Sequence, residues 1–324
     1  MKVIRKGIAL LAVLVLFASG SGCGSSRLSA PEKELNVKVI VKKRDFDYWA
    51  VVKMGAEAAG KEFGVNVDFG GPTDEKDVEG QYRMVSEAID SHPDAIVLAA
   101  NDYTRLVSVA EEAVSRKIPV IMIDSGINSK KIRNFIGTDN VDAGEKLGET
   151  LADKVGKTCK VAVMSFIKGA ASAVQREEGL FKAIGKYPGI QVLTTEYYKS
   201  NEDLAQQLTE KIVKENPGID AIVCLNAYGT VGTARAIDKM KLGGKVKVVG
   251  FDSTPEEIGF MENGVIQGLV IQNPFNIGYL GIKYALDAIN GKPVPEQVNT
   301  GSKVIDKDNM YLPENQKLVF PFTD

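Results

Sequence analysis

The sequence predicts an α/β protein of two lobes, each a doubly wound parallel sheet. From Leu35 onward, short β-branched runs alternate with longer stretches of helical spacing, which is typical of βαβ units. The run at residues 95–99 is apolar throughout, as expected for a strand with helices on both faces. The same order of elements then starts again near residue 160, which indicates two lobes of one fold.

In the first half, the pattern predicts helices over residues 48–63, 76–91 and 104–117 and strands over residues 37–41, 65–69, 95–99 and 119–123. Gly64 directly follows the first helix and is expected to end it.

The second half repeats this series, with helices over 172–186, 202–215 and 230–240 and strands over 160–165, 191–195, 221–225 and 246–249. The sequence Asp-Ala-Ile-Val that begins at Asp94 recurs at Asp220, and strands that end at Asp124 and Asp252 hold equivalent positions.

The N-terminus predicts export. Lys2, Arg5 and Lys6 precede an apolar run at residues 8–17, and small residues then lead to Cys23. This is the pattern of a signal peptide over residues 1–23, and the run is shorter than the roughly 20 residues that span a bilayer.

The end of the segment resembles a bacterial lipobox, which implies lipidation of Cys23. Gly20 stands where that motif prefers Leu, so the alternative is an ordinary signal peptide with an incidental cysteine. Residues 24–35 are polar and Ser-rich and predict a flexible tether.

Composition favours a binding protein over an enzyme. The 40 basic and 42 acidic residues nearly balance, which gives no indication of a nucleic-acid partner. The single histidine, His92, follows a predicted helix and is not at a strand end. Serine-nucleophile, dinucleotide and metal-binding motifs are missing, so we expect no catalysis, no cofactor and no metal. Cys159 and Cys224 lie in apolar segments and are expected to be buried thiols.

Ligands of open parallel sheets bind beyond the carboxyl ends of the strands, so two facing sheets would share one cleft. After the first strand come Lys42, Asp45, Tyr48 and Trp49. Charged groups can bond hydroxyls while an aromatic face packs on the C–H side of a sugar, so this segment suits a polyol. The alternative is a helix start with an Asp cap and core aromatics.

Asp124 and Asp252 follow equivalent strands, and a carboxylate can accept two hydroxyl hydrogen bonds. The alternative is that both are turn or cap residues. Asn226 and Gln272 carry amides that donate and accept as a hydroxyl does, although Gln272 could instead bond the backbone between the lobes. Arg176 either points into the cleft or pairs on the surface with a neighbouring glutamate.

In this order and spacing, the motifs resemble the ribose/galactose/allose-binding class of bacterial periplasmic binding proteins, of the type I fold, over about residues 36–319. The matching segments are Lys42, Tyr48-Trp49, Ile118-Pro119-Val120 through Asp124, Thr138-Asp139-Asn140, Gly250-Phe251-Asp252 and Gln272-Asn273-Pro274.

The resemblance implies three crossings between the lobes, near residues 137–140, 272–275 and 299–301. The N-terminal lobe would be 36–138 plus 273–300, and the C-terminal lobe 139–272 plus 301–324. It further implies a monomer that closes over a monosaccharide or polyol and docks on an ABC importer permease, in the periplasm or lipid-anchored to the outer face of the cytoplasmic membrane. The alternative is a sensor component that presents the sugar to a chemoreceptor or histidine kinase.

Three departures concern the ligand. Ribose binders carry Arg at the positions of Ser125 and Val174, and Asp at that of Ala227. Their absence favours a different monosaccharide or a polyol.

Overall fold

The computed structural model describes residues 34–322. The predicted signal peptide with Cys23 and nearly all of the tether lie outside this range. Within it, no helix is both long and apolar enough to cross a bilayer.

The elements of the first part of the chain are β1 (Leu35–Ile40), α1 (Asp47–Phe63), β2 (Val65–Gly70), α2 (Val78–Asp90), β3 (Ala95–Leu98), α3 (Val107–Ser115), β4 (Val120–Met122) and β5 (Phe135–Gly137). Then come α4 (Asn140–Val155), β6 (Thr158–Ser165), α5 (Ala171–Ile184), β7 (Gly189–Tyr197), α6 (Glu202–Glu215), β8 (Ala221–Cys224), α7 (Ala227–Lys239) and β9 (Lys247–Phe251). The last are α8 (Pro255–Glu262), β10 (Ile266–Gln272), α9 (Pro274–Ile289), β11 (Gln297–Asn299), β12 (Ser302–Ile305) and α10 (Pro313–Val319).

The two sheets have the same strand order. The first runs β2-β1-β3-β4, all parallel, and a bridge between Ile123 and Ile136 places β5, which pairs with β11, beside the end of β4. The second runs β7-β6-β8-β9-β10-β12 and is parallel except for the β10–β12 pair. When the strands of each lobe are numbered separately in chain order, both sheets begin with the order 2-1-3-4-5 that is typical of a doubly wound fold. This confirms the predicted architecture.

Three connections carry the chain between the sheets: β5 to α4, β10 to α9, and β11 to β12. They fall where the crossings were expected. The lobe boundaries drawn from them, at residues 138, 272 and 300, stay a prediction.

Close helix packing fixes α5, which carries Arg176. A Cβ on Gly144 of α4 would lie 2.3 Å from the Arg176 carbonyl oxygen, and one on Gly179 of α5 would lie 2.0 Å from the Val141 carbonyl oxygen. Only glycines permit this approach, so the backbone that carries Arg176 is held tightly against α4.

Sequence and structure differ at helix starts, and the sequence analysis made no prediction for α4, β10 and α9. The helix predicted over 104–117 is only Val107–Ser115, because the Asp102 carboxylate accepts the backbone N–H groups of Thr104 and Arg105 and holds the preceding residues in a turn. In contrast, α7 begins at Ala227, three residues before its predicted start, because Asn226 caps it. The predicted burial of Cys159 and Cys224 is confirmed, and both are free thiols.

Candidate ligand-binding cleft

Asp124 and Asp252 have equivalent surroundings in the two lobes. Each follows the fourth strand of its sheet, is 7% exposed, and has a left-handed backbone, with φ of +57° and +78°. Each also donates its backbone N–H to the neighbouring fifth strand, Asp124 to the Ile136 oxygen and Asp252 to the Val270 oxygen, both at 3.0 Å. Aspartate tolerates the left-handed region better than most residues. The shared turn brings both carboxylates to one cavity between the lobes.

On the first lobe, the Asp124 carboxylate belongs to a network of charged side chains. Lys42 Nζ lies 3.3 Å from Asp124 Oδ2 and 3.5 Å from Glu75 Oε1, and the Tyr48 hydroxyl donates to Asp124 Oδ1 at 2.7 Å. Burial favours a neutral lysine, but the two carboxylates outweigh it and the pKa of Lys42 is raised. Burial, reinforced by Asp124, raises the pKa of Tyr48 well above its ordinary value. Lys42 is thus a cation and Tyr48 a hydroxyl donor at neutral pH.

Two buried amides connect the loops that carry this network. The Asn101 side chain donates to the carbonyl oxygens of Glu75, at 2.7 Å, and Lys42, at 3.3 Å. Gln81 donates to the carbonyl oxygens of Val41 and Ala99 and accepts the Asn101 N–H. Asn101 therefore stabilises the loops that carry Lys42 and Glu75.

The aromatic residues of the first lobe divide between two roles. Trp49 is 4% exposed, packs in the core and stands edge-on to Tyr48, with ring centroids 5.0 Å apart. Phe46, three residues earlier, stacks on Tyr228 of the second lobe with centroids 4.1 Å apart and an interplanar angle of 19°. Residues 46–49 therefore supply both a wall of the cavity and a contact between the lobes.

On the second lobe, Arg176 points into the cleft. Its Nε donates to Asn140 Oδ1 and one terminal nitrogen donates to the Leu225 carbonyl oxygen, both at 2.8 Å. Its guanidinium lies 3.8 Å above the Phe251 ring. The residue is 4% exposed, and these contacts replace the surface pairing with a neighbouring glutamate that was the alternative.

The Asp252 carboxylate is fixed by neutral donors. Oδ2 accepts the Ala227 N–H at 3.0 Å, and Oδ1 accepts the Gln272 side-chain amide at 2.7 Å. The Thr138 hydroxyl donates to Gln272 Oε1 at 2.7 Å, so this glutamine joins the first crossing to the second-lobe aspartate. Burial raises the pKa of Asp252, although Arg176 and the Gln272 amide oppose the shift.

Asn226 caps α7, and its Oδ1 accepts both the Gly229 N–H and the Tyr198 hydroxyl, at 3.3 and 2.5 Å. Its oxygen is therefore occupied, and the NH₂ group is the part of the amide suited to a ligand.

Eight of the nine predicted site residues line this single cavity: Lys42, Tyr48, Trp49, Asp124, Arg176, Asn226, Asp252 and Gln272. That they contact a ligand stays a prediction. Asp45 is not brought to the cavity. Its side chain is 71% exposed and pairs with the adjacent Arg44, because the loop turns it to solvent.

Sequence reasoning missed Glu75, Phe46, Phe166 and Tyr228, which also line the cavity. Glu75 could have been found, because it follows β2 at the same sheet edge as Lys42. Tyr228 lies two residues after Asn226. Its stacking on Phe46 could not have been found, since it depends on how the lobes face one another.

Residues 37–293 match the family model of the periplasmic binding protein domain. The chain belongs to the periplasmic binding protein family. It is 30% identical, over 277 residues, to the D-allose-binding periplasmic protein of Escherichia coli strain K12, an alignment that covers 83% of this chain and 89% of the relative.

Solved structures agree in fold over nearly their full lengths. A carbohydrate transporter solute binding protein from Agrobacterium radiobacter, in complex with D-arabinose, has a TM-score of 0.85 and 34% identity, with 89% of this chain and 99% of that one covered. An ABC transporter solute binding protein from Agrobacterium vitis with bound D-fucose has a TM-score of 0.84 and 31% identity, with 88% and 100% covered. These likenesses confirm the type I fold and the expectation of a binding protein rather than an enzyme.

Proposed function

We propose that this periplasmic binding protein captures a monosaccharide or polyol between its lobes and delivers it to the permease of an ABC importer. The observation that carries the proposal is the pair of buried carboxylates, Asp124 and Asp252, one from each lobe on one cavity. A ligand with hydroxyls on opposite sides of a ring can donate to both at once. The relatives named for D-allose, D-arabinose and D-fucose support a sugar as the ligand class.

The other side chains complete a hydroxyl-binding set. Lys42 and Arg176 donate as cations, and the amides of Asn226 and Gln272 donate as neutral groups. The aromatic rings of Tyr48 and Trp49 supply an apolar wall for the C–H face of a sugar. The relatives named above are sugar-binding transport proteins, so we expect the site to hold its ligand unchanged.

Binding requires motion of the lobes. The space enclosed by the polar groups is about 40 Å³, enough for water but not for a sugar ring, because these groups bond one another. A sugar must therefore enter while the lobes are apart. Its hydroxyls then replace hydrogen bonds between protein groups, such as the one that Tyr48 donates to Asp124. Contacts that exist only when both lobes touch the sugar favour the closed state.

The proposal includes the location of the protein. Lipid on Cys23 would hold a monomer at the outer face of the cytoplasmic membrane, with residues 24–35 as the tether. An unlipidated signal peptide would instead release it into the periplasm. Both locations place the lobes on the side from which an importer takes its substrate.

The test is a thermal-shift screen of the purified protein against D-allose, D-arabinose, D-fucose, D-ribose, D-galactose, ribitol and a set of amino acids. A ligand at one hundred times its Kd should add about 2.7 kcal/mol to the free energy of unfolding, which raises the Tm by several degrees. A response to amino acids alone would refute the carbohydrate ligand.

The partner is tested separately in cells. If the protein serves an importer, deletion of its gene abolishes high-affinity uptake of the sugar that shifts the Tm. Unchanged uptake with loss of chemotaxis or of sugar-induced transcription would instead support the sensor function.

A further inference from the structure

We infer that the cleft has a second subsite beside the two aspartates, and that the ligand is a glycoside, such as a disaccharide, rather than a free monosaccharide. This inference rests on the proposed function and revises one part of it: the sugar held at the aspartates carries a substituent, so the ligand is larger than a free monosaccharide. It comes from a cavity of about 490 Å³ between β4, the loop that follows it and the start of α5.

The larger cavity adjoins the site. Asp124 of the first lobe and Ser172 of the second line both of them. The residues next to these two are small: Ser125 and Gly126 follow Asp124, and Ala171 precedes Ser172. A substituent on a sugar held at Asp124 would therefore meet little steric resistance on entering the larger cavity.

The size of the cavity suits a ring. Small-molecule pockets commonly enclose about 300–1,000 Å³, and this one reaches about 490 Å³ without any movement of the lobes. The space between the two aspartates, by contrast, is about 40 Å³. An occupant of the larger cavity would thus find its space already formed.

The lining has the chemistry that a second sugar ring or an aromatic aglycone requires. Tyr103, 40% exposed, and Phe135 contribute aromatic rings. Arg133, Glu296 and Gln175 contribute polar groups, and the first two form an exposed ion pair at 3.2 Å. Aromatic faces for C–H groups beside donors and acceptors for hydroxyls are the same combination as in the first site.

Gly126 offers a way to fill this subsite alone. A Cβ at that position would meet only Phe135 Cδ2, at 3.8 Å, which is ordinary van der Waals contact. Gly126→Leu is therefore expected to fold normally while occupying part of the cavity. Gly218, an exposed glycine in the turn before β8, has nothing within 4 Å of its Cβ direction and supplies the matched control, Gly218→Leu.

The experiment is titration calorimetry of the purified protein with D-allose, D-arabinose, D-fucose, D-galactose and D-glucose, and with the α- and β-phenyl glycosides of each. For the sugar that binds best, we expect one glycoside to bind at least tenfold more tightly than the free sugar. Gly126→Leu should remove that gain and leave the Kd of the free sugar within about threefold. Gly218→Leu should keep the gain.

A second variant guards against an indirect effect of the leucine. Tyr103→Ala removes an exposed ring from the lining of the larger cavity and should reduce the glycoside gain by threefold or more, with the melting temperature unchanged. If every glycoside binds no better than its free sugar, the subsite is refuted while the proposed function stands. If none of these sugars or glycosides binds, the proposed function and the subsite fail together.

Discussion

The two faces of the cleft hold their polar groups in different ways. On the first lobe, Lys42, Glu75, Tyr48 and Asp124 contact one another through side chains. On the second lobe, Arg176 and Asp252 each make one bond to the backbone in addition to a side-chain bond: Arg176 donates to the Leu225 carbonyl oxygen, and Asp252 accepts the Ala227 N–H.

This difference separates two tasks. Side chains that bond only other side chains can rearrange when a ligand hydroxyl replaces one of them. Groups bonded to the backbone keep their positions and spare the ligand the cost of ordering them. We therefore expect the second lobe to act as the fixed anchor and the first lobe to decide which sugar is bound.

Loss of the anchor should have the largest effect. Arg176→Leu leaves Asn140 Oδ1 and the Leu225 carbonyl oxygen without this donor, at about 1–3 kcal/mol for each stranded buried acceptor. We expect the free energy of unfolding, measured by urea denaturation, to fall by about 3 kcal/mol, and the Kd for the bound sugar to rise at least a hundredfold.

Arg235→Leu is the control for this loss of an arginine. Arg235 lies on the same lobe but makes its ion pairs, with Glu202 and Glu256, at the surface. Partly exposed pairs contribute about 1 kcal/mol or less, and the Kd should stay within threefold. Equal effects of the two variants would contradict the anchor role of Arg176.

On the adjustable face, Glu75→Gln should change both selectivity and stability. Lys42 keeps Asp124 as its partner, but Glu75 and Lys42 are both buried, so we expect the free energy of unfolding to fall by about 1–3 kcal/mol. The ratio of Kd values between two sugars that differ at one hydroxyl should shift by about tenfold, measured by calorimetry. Glu79→Gln, at an exposed carboxylate on α2, should leave that ratio unchanged.

The second lobe also buries Glu257, which caps α8 together with Thr254. Burial, with the charge of Asp252 nearby, raises the pKa of Glu257 well above its ordinary 4.5. The folded state thus binds the Glu257 carboxyl proton more tightly than the unfolded state does. The contribution of this proton to the free energy of unfolding is therefore complete below pH 4.5 and is lost as pH rises through the raised pKa. Urea denaturation should show Glu257→Gln gaining stability relative to wild type as pH increases. A difference that does not vary with pH would disprove this.

The smallest effect is expected at Asp45. Its carboxylate is 71% exposed and, within residues 34–322, pairs only with Arg44, itself exposed. Asp45→Ala should leave the Kd within twofold and the melting temperature within a degree or so, since exposed pairs contribute little. A tenfold loss of affinity would show that closure brings Asp45 into the site after all.

Sequence reasoning located cavity-lining residues where a chemical signal coincided with a strand end. Asp124 and Asp252 were predictable because both follow apolar strands in a repeated order of elements. Gln272 was placed by its position at a lobe crossing, although its bond to Thr138 was not foreseen. Strands as short as β5, with three residues, carry no periodicity to detect.

Loop direction and the relation between lobes could not be predicted. Asp45 and Phe46 are neighbours in one loop, yet one faces solvent and the other stacks on Tyr228. Nothing in the local sequence decides between these directions, because the decision depends on a residue 182 positions away (228 − 46) in the other lobe. The larger cavity beside Asp124 was missed for the same reason, since its walls come from both lobes.

The most direct test of a ligand shared by both lobes is calorimetric titration of Asp124→Ala and Asp252→Ala with the sugar that shifts the melting temperature of the wild type. If one sugar bridges the two carboxylates, each variant alone loses at least a hundredfold in affinity while its circular dichroism spectrum stays native. Affinity within threefold of wild type in either folded variant would mean that the sugar does not bridge the lobes at these aspartates.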